Sequence, residues 1–198
     1  VEYWTSRSIE TFFLNCGFVF ITLPITQLTE KRIPTDFIFL AGGITKLFGL
    51  QFKALYQSKS GDYWKLKFQQ HSDLANFPWI YYGLSDLTSA TQYRNSLYYL
   101  RIQSPNFEFV PELTNKHLAT IPKYMRWAPF YEAIFKCRCG LRVTAPSDLQ
   151  NALWPYGDTA VPREIGEIAS DIILANFESR RALHFAALPR LTQDEDGW

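Results

Sequence analysis

The chain has 198 residues, 47% hydrophobic and 20% charged, with a net charge of +1. Those values suit a compact globular protein and exclude disorder, and the near-neutral balance excludes a global field that draws the chain onto nucleic acid. Three cysteines without a framework of paired spacings point to a reduced, cytoplasmic protein, and no stretch approaches the roughly 20 apolar residues of a membrane span.

Ser6 to Cys16 reads as a helix, with Ser6 or Ser8 as its cap and Ile9, Phe12, Phe13 and Cys16 as its apolar stripe; Gly17 ends it. Phe18 to Leu23 is a first strand, stopped by Pro24. It belongs to an apolar run from Phe12 that lacks a basic leader and a small-residue cleavage site. Gln27 to Arg32 is a polar turn. Asp36 then stands at the polar edge of a strand over Phe37 to Leu40, which Ala41, Gly42 and Gly43 break. The next strand runs from about Leu47 to Tyr56. Alternation puts Gln51 and Lys53 on one face, and Leu50, Phe52 and Ala54 on the other.

After a Ser- and Gly-containing loop, Tyr63 to Phe68 alternates with Trp64, Leu66 and Phe68 inward and Lys65 and Lys67 outward, as a strand does. Gln69 to Asn76 is a short polar helix in which His71 reads as a surface residue, and Trp79 to Leu84 is an aromatic strand. Asn95 to Gln103 is another strand, and Pro105 to Pro122 a loop. Pro129 to Cys139 has helical spacing, with Gly140 just past its end; a competing strand reading puts Phe135, Cys137, Cys139 and Leu141 on one face. Either way Lys136, Arg138 and Arg142 form a modest basic patch. Pro162 to Phe177 is a late helix, and the acidic tail after Thr192 frays. Cys137 and Cys139 are one residue short of a zinc-knuckle pair, and no second pair accompanies them.

The polar pair Gln51 and Lys53 on an otherwise apolar strand, fifteen residues after Asp36 (51 − 36), is the feature that needs explaining. Its plain explanations are a solvent-facing strand, a turn cap by Asp36 and a salt bridge from Lys53. Pro34, Asp36, Gln51 and Lys53 together resemble the signature of the PD-(D/E)XK nuclease superfamily: an Asp opening one strand, and an acidic residue, any residue and Lys on the next. The family usually carries Asp or Glu where this chain has Gln51, and a Gln-x-Lys variant occurs in some branches, including Mrr-like restriction enzymes.

The resemblance covers roughly Ser6 to Leu84 and implies an α/β fold. Its core has the order αβββαβ, a mixed central sheet flanked by helices, with one added strand here and a C-terminal helical extension. The division is a nuclease-like core over 1–90 and an extension over 91–198 packed on it, or one single domain. The activity implied is metal-dependent endonucleolytic hydrolysis of DNA, in a restriction or antiviral defence setting.

By the same resemblance Mg2+ or Mn2+ is held by Asp36, the side-chain carbonyl of Gln51 and the backbone carbonyl of Phe52. Lys53 acts on the attacking water or the phosphate, and Glu10 of the first helix restores the missing charge. Lys65, Lys67, Lys136, Arg138 and Arg142 are candidates for phosphate contact. Two other readings compete. One is a nuclease-fold subunit, weak or inactive in catalysis, that binds nucleic acid or serves as scaffold for an ATPase or helicase, or for further copies of itself; the high aromatic content, 17%, and Gln51 motivate it. The other is RNA as the substrate.

Overall fold

Near-continuous apolar runs are what a strand carries when helices cover both faces of its sheet. Phe37–Ala41 and Lys46–Lys53 are such runs, and they are buried almost throughout. The computed structural model describes residues 2–18, 20–25, 33–42, 46–59, 61–106, 115–117 and 124–153. The helix expected over Pro162 to Phe177, the tail and most of the loop from Pro105 to Pro122 lie outside the described residues.

The described elements are α1 (Glu2–Asn15), β1 (Phe20–Pro24), β2 (Phe37–Ala41), β3 (Lys46–Lys53), β4 (Leu55–Tyr56), β5 (Tyr63–Lys65), α2 (Phe68–Leu74), β6 (Ile80–Ser85), a 3-10 turn (Ala90–Asn95), β7 (Leu100–Gln103), β8 (Asn115–His117), β9 (Met125–Arg126), α3 (Trp127–Phe135), β10 (Leu141–Arg142) and α4 (Pro146–Leu153). The fold is α/β with a mixed, largely antiparallel central sheet in the order β1-β2-β3-β6-β7-β9. β1, β2 and β3 form an antiparallel meander, and β6 lies parallel to β3, with Gln51 beside Tyr82 and Lys53 beside Leu84. β10 pairs with the first two residues of β3, below the point where β6 begins its pairing. β7 and β9 then extend the sheet beyond β6.

Alternation along the strands builds two cores. On one face Ile38, Leu40, Leu47, Ile80, Tyr82 and Leu84 pack with Trp64 and Leu66, with Leu74 of α2 and with Leu149 of α4. On the other, Phe39, Phe48, Leu50, Phe52 and Tyr81 pack with Ile9 and Phe13 of α1 and with Phe130 and Ile134 of α3. Phe13 stacks on Phe20 with ring centroids 4.2 Å apart, so the aromatic surplus sits largely under α1 and α3.

Several boundaries differ from those expected, each for a physical reason. α1 begins at Glu2, and Ser6 is no cap: it lies inside the helix and its hydroxyl donates back to the Tyr3 carbonyl at 2.9 Å. Gly17, at φ +79°, does end it, with Gly17 N–H on Leu14 O and Phe18 N–H on Phe13 O.

The strand expected to run from Leu47 to Tyr56 breaks at Ala54. Leu55–Tyr56 turns away to pair with β5, which pairs in turn with β8. The added strand, β5, therefore belongs to a separate three-stranded sheet. It stops at Lys65, and Phe68, expected inward, is exposed at the start of α2. The strand expected from Asn95 begins only at Leu100, because Ala90–Asn95 forms a 3-10 turn closed by a capping box between Ser89 and Gln92. Helix wins over strand after Pro129: α3 ends at Phe135, and Cys137 takes a left-handed φ of 57°. Cys16, Cys137 and Cys139 are free thiols. Among the described residues no helix is long and apolar enough to cross a membrane.

Candidate active site

The β2–β3 ladder ends where the Phe37↔Leu50 pair ends. Strand geometry places the N–H and C=O of Phe52 on the β2 edge of β3, one step past that pair. Asp36 fills the gap. Its Oδ2 accepts the Phe52 N–H at 2.6 Å and the Gln51 Nε2–H at 2.9 Å. The Pro34-Thr35-Asp36 segment is held for this purpose: Ile33, Pro34 and Thr35 are buried, and the Thr35 hydroxyl donates to Phe37 O at 3.0 Å. A hydrogen bond between a carboxylate and backbone N–H is charge-assisted and among the stronger kinds.

Gln51 is only 3% exposed, so its face of β3 does not meet solvent at this position. Its amide nitrogen is engaged by Asp36, while its carbonyl Oε1 is buried without a hydrogen-bond partner among the described residues. Leaving such an oxygen unpaired costs about 1–3 kcal/mol. Lys53 follows on the same face, roughly 7 Å further along the strand. Its Nζ donates to Gln70 Oε1 of α2 at 2.6 Å. Leu50 and Phe52 belong to the opposite core, as the alternation requires.

Behind the pair stands His71, which the sequence reading put on the surface. It is buried, with Nδ1 3.1 Å from the Tyr82 hydroxyl and its ring stacked on that tyrosine. Burial pushes the Tyr82 hydroxyl far above its usual range, so it stays protonated. The signal available in the sequence was the spacing His71, Leu74 on one side of a short helix, which marks an inward histidine as readily as a leucine.

Lys53 also lines a cavity of about 230 Å³ together with Glu2, Phe52, Ala54, Tyr56, Lys65 and Lys67. Three lysines and one glutamate thus line it, a net positive wall. Lys65 and Lys67 are brought to the same place as Lys53. Glu10 is not placed there: it is tied to Arg7 at 2.5 Å, on the helix that packs against the opposite face of the sheet. Glu2, one helix end away, is the glutamate of α1 that reaches the cavity, and the sequence reading missed it because it began the helix at Ser6.

Lys136, Arg138 and Arg142 are exposed around the end of α3 and on β10. Arg142 pairs with Lys46, at the far end of β3, roughly 23 Å of strand from Lys53 (seven residues). Lys136 forms an ion pair with Glu132 of its own helix, which holds that carboxyl below its usual range.

The oxygen set gathered here is one carboxylate, one amide carbonyl and one backbone carbonyl. It fits a hard divalent cation of the magnesium kind. Among the described residues no group of three or more His, Cys, Asp or Glu side chains that could hold a metal ion comes together. Compared with protein-family models, curated proteins and solved structures, the chain matches none.

Phe52 is locked from behind by Gly83, its neighbour on β6. A Cβ at Gly83 would lie 2.7 Å from Phe52 Cδ1. Gly83→Ala is expected to cost about 1–3 kcal/mol through overpacking, read as a lower midpoint of urea unfolding at unchanged slope. Because Phe52 stands between Gln51 and Lys53, the same variant is expected to lose activity beyond what its stability loss accounts for.

Proposed function

We propose that the chain is a metal-dependent nuclease that hydrolyses DNA phosphodiester bonds on a restriction-endonuclease-like core. The observation that carries this reading is the buried Oε1 of Gln51, without a hydrogen-bond partner among the described residues, on the amide whose nitrogen is bonded to the Asp36 carboxylate, two residues before Lys53 on the same strand face. A structural salt bridge or turn cap leaves no reason for that oxygen. The order α1, β1, β2, β3, α2, β6 supports the reading further, because the added strand stands apart in the small sheet. So does the position of Lys53 at the carboxyl end of β3, where the meander meets the parallel pair.

In this reading Asp36, Gln51 Oε1 and the Phe52 carbonyl hold Mg2+ or Mn2+. When bound, the cation supplies Lewis acidity at the scissile phosphate and lowers the pKa of a water. The rest is done by the chain. Lys53 orients the attacking water and offsets charge that develops on the phosphate. Gln70 fixes the ammonium in place. Lys65 and Lys67, exposed beside it, position flanking phosphates, a contact that carries no sequence preference. Gln51 gives the site a particular character. It donates to Asp36, where a carboxylate would repel it, so the site holds together without metal and a cation must displace part of that bonding.

The second reading, a nuclease-fold subunit that binds nucleic acid without cutting it, is favoured by that same self-satisfied bonding of Asp36. Incubation with supercoiled plasmid and Mg2+ separates the two. Nicking or linearisation by the wild type, abolished in Asp36→Ala, is the expected result. Plasmid that stays supercoiled with both proteins at micromolar enzyme, in Mg2+ and in Mn2+, leaves the second reading standing.

A further inference from the structure

A large groove lies away from the Lys53 cavity, between α1 and the 3-10 turn with the segment that follows it. It holds about 1010 Å³. One side of α1 walls it at helical spacing, with Trp4, Ser8, Thr11 and Asn15, while Ile9 and Phe13 point into the core. The other wall brings Tyr93, Arg94 and Tyr98. Ser96 Oγ bonds Ser8 Oγ at 2.9 Å, which fixes the two walls to each other.

Three features of this groove point to a ligand. Its aromatic faces are unusually open: Trp4 is 52% and Tyr98 75% exposed, although burying either ring would be favourable. Trp4 and Tyr93 lie nearly parallel, 12° apart with centroids at 6.3 Å, which presents a flat stacking platform. The charge is one-sided, since the lining includes Arg7 and Arg94 and no carboxylate residue. Arg7 is engaged by Glu10, so Arg94, exposed at the end of the 3-10 turn, is the cation with which the groove meets an anion. Flat aromatic faces beside a guanidinium are the chemistry that takes unpaired bases and their phosphates.

We propose that this groove binds single-stranded nucleic acid, with one or two unpaired bases stacked on Trp4 and Tyr98 and a phosphate on Arg94. From the nuclease reading it takes only that the ligand is a nucleic acid. Because the platform takes unpaired bases, single strands bind better than continuous duplex.

The test is fluorescence anisotropy of labelled dT12 and of a 12-base-pair hairpin duplex at several salt concentrations, with tryptophan emission recorded alongside. The wild type is expected to bind dT12 more tightly than the hairpin and to lose tryptophan emission on binding. Trp4→Ala weakens dT12 binding about tenfold and removes the emission change, and Trp4→Phe restores most of the affinity. Arg94→Ala lowers the slope of log affinity against log salt by about 0.7, the value for one phosphate of a single strand. Binding is read without metal and without cleavage, so failure of the nuclease reading and failure of this one are told apart.

Unchanged dT12 binding in Trp4→Ala with a native circular dichroism spectrum overturns the inference. So does a preference for the hairpin. A wild type that fails to bind dT12 at low salt also overturns it, and leaves the groove to a protein segment.

Discussion

Lys53→Ala is expected to lower Mg2+-dependent plasmid cleavage by about 10²–10³-fold, the loss that follows removal of one donor aimed at developing negative charge. The ammonium is only partly buried, and it donates to the neutral Gln70 amide. Loss of that hydrogen bond costs on the order of 1 kcal/mol, which shifts the melting temperature by a few degrees. That split identifies the role. The Asp36 carboxylate accepts from the Phe52 N–H and the Gln51 amide, and keeps both bonds in Lys53→Ala. Lys53→Arg is expected to recover little, since the planar guanidinium cannot reproduce a point charge on that geometry. Cleavage within threefold of wild type in Lys53→Ala would remove the lysine from the chemistry.

Gln51→Glu has the second large effect, with opposite signs in the two metal states. Without metal the substitution replaces the 2.9 Å amide bond by a second carboxylate against Asp36 in a site that is 3% exposed. Loss of the bond and the like-charge contact together cost about 1–2 kcal/mol, which lowers the melting temperature by about 2–8 °C at pH 8.

Two carboxylates that close do not both ionise, so one has a folded-state pKa raised above its unfolded value near 4.3. A raised carboxyl pKa leaves stability intact below the unfolded value and removes it as pH rises through the folded one. The deficit relative to wild type is accordingly absent near pH 4 and full at pH 8. With Mg2+ at about 100 times its dissociation constant, binding returns about 2.7 kcal/mol. The variant then melts at or above the wild type, and its metal requirement for cleavage moves to lower concentration. Calorimetric scans with and without Mg2+ at the two pH values read all of this. An apo variant as stable as the wild type at pH 8 would mean that Gln51 and Asp36 do not share a site.

The half of the site that lies along one strand was legible before the structure. Period-two alternation puts Gln51 and Lys53 on one face, and Leu50 and Phe52 on the other, whatever the rest of the chain does. The order of the core elements was legible for the same reason, since each long apolar run had one periodicity.

What depended on where elements begin was not. α1 starts four residues before Ser6, so Glu2 and not Glu10 reaches the lysine cavity, and no cap residue marks that start. The break at Ala54 carries no Pro or Gly, so the transfer of Leu55 and Tyr56 to a second sheet had no local signal. His71 was misplaced because a polar heptapeptide helix hides its inward side: only the facing Tyr82, eleven residues on, decides that the imidazole is buried. Long-range pairing also separates the basic residues. Lys65 and Lys67 fall beside Lys53, whereas β10 carries Arg142 to the opposite end of β3.

The central claim is that Asp36, the Gln51 carbonyl and the Phe52 carbonyl surround one cation. Crystals equilibrated with Mn2+ at tens of millimolar, measured for anomalous scattering, test it most directly. A single peak is expected in contact with Asp36, Gln51 Oε1 and Phe52 O, at separations close to the about 2.1 Å of magnesium sites. A map with the strong peak elsewhere, or with no Mn2+ on Asp36 while it keeps its bonds from Phe52 N–H and the Gln51 amide, would contradict it.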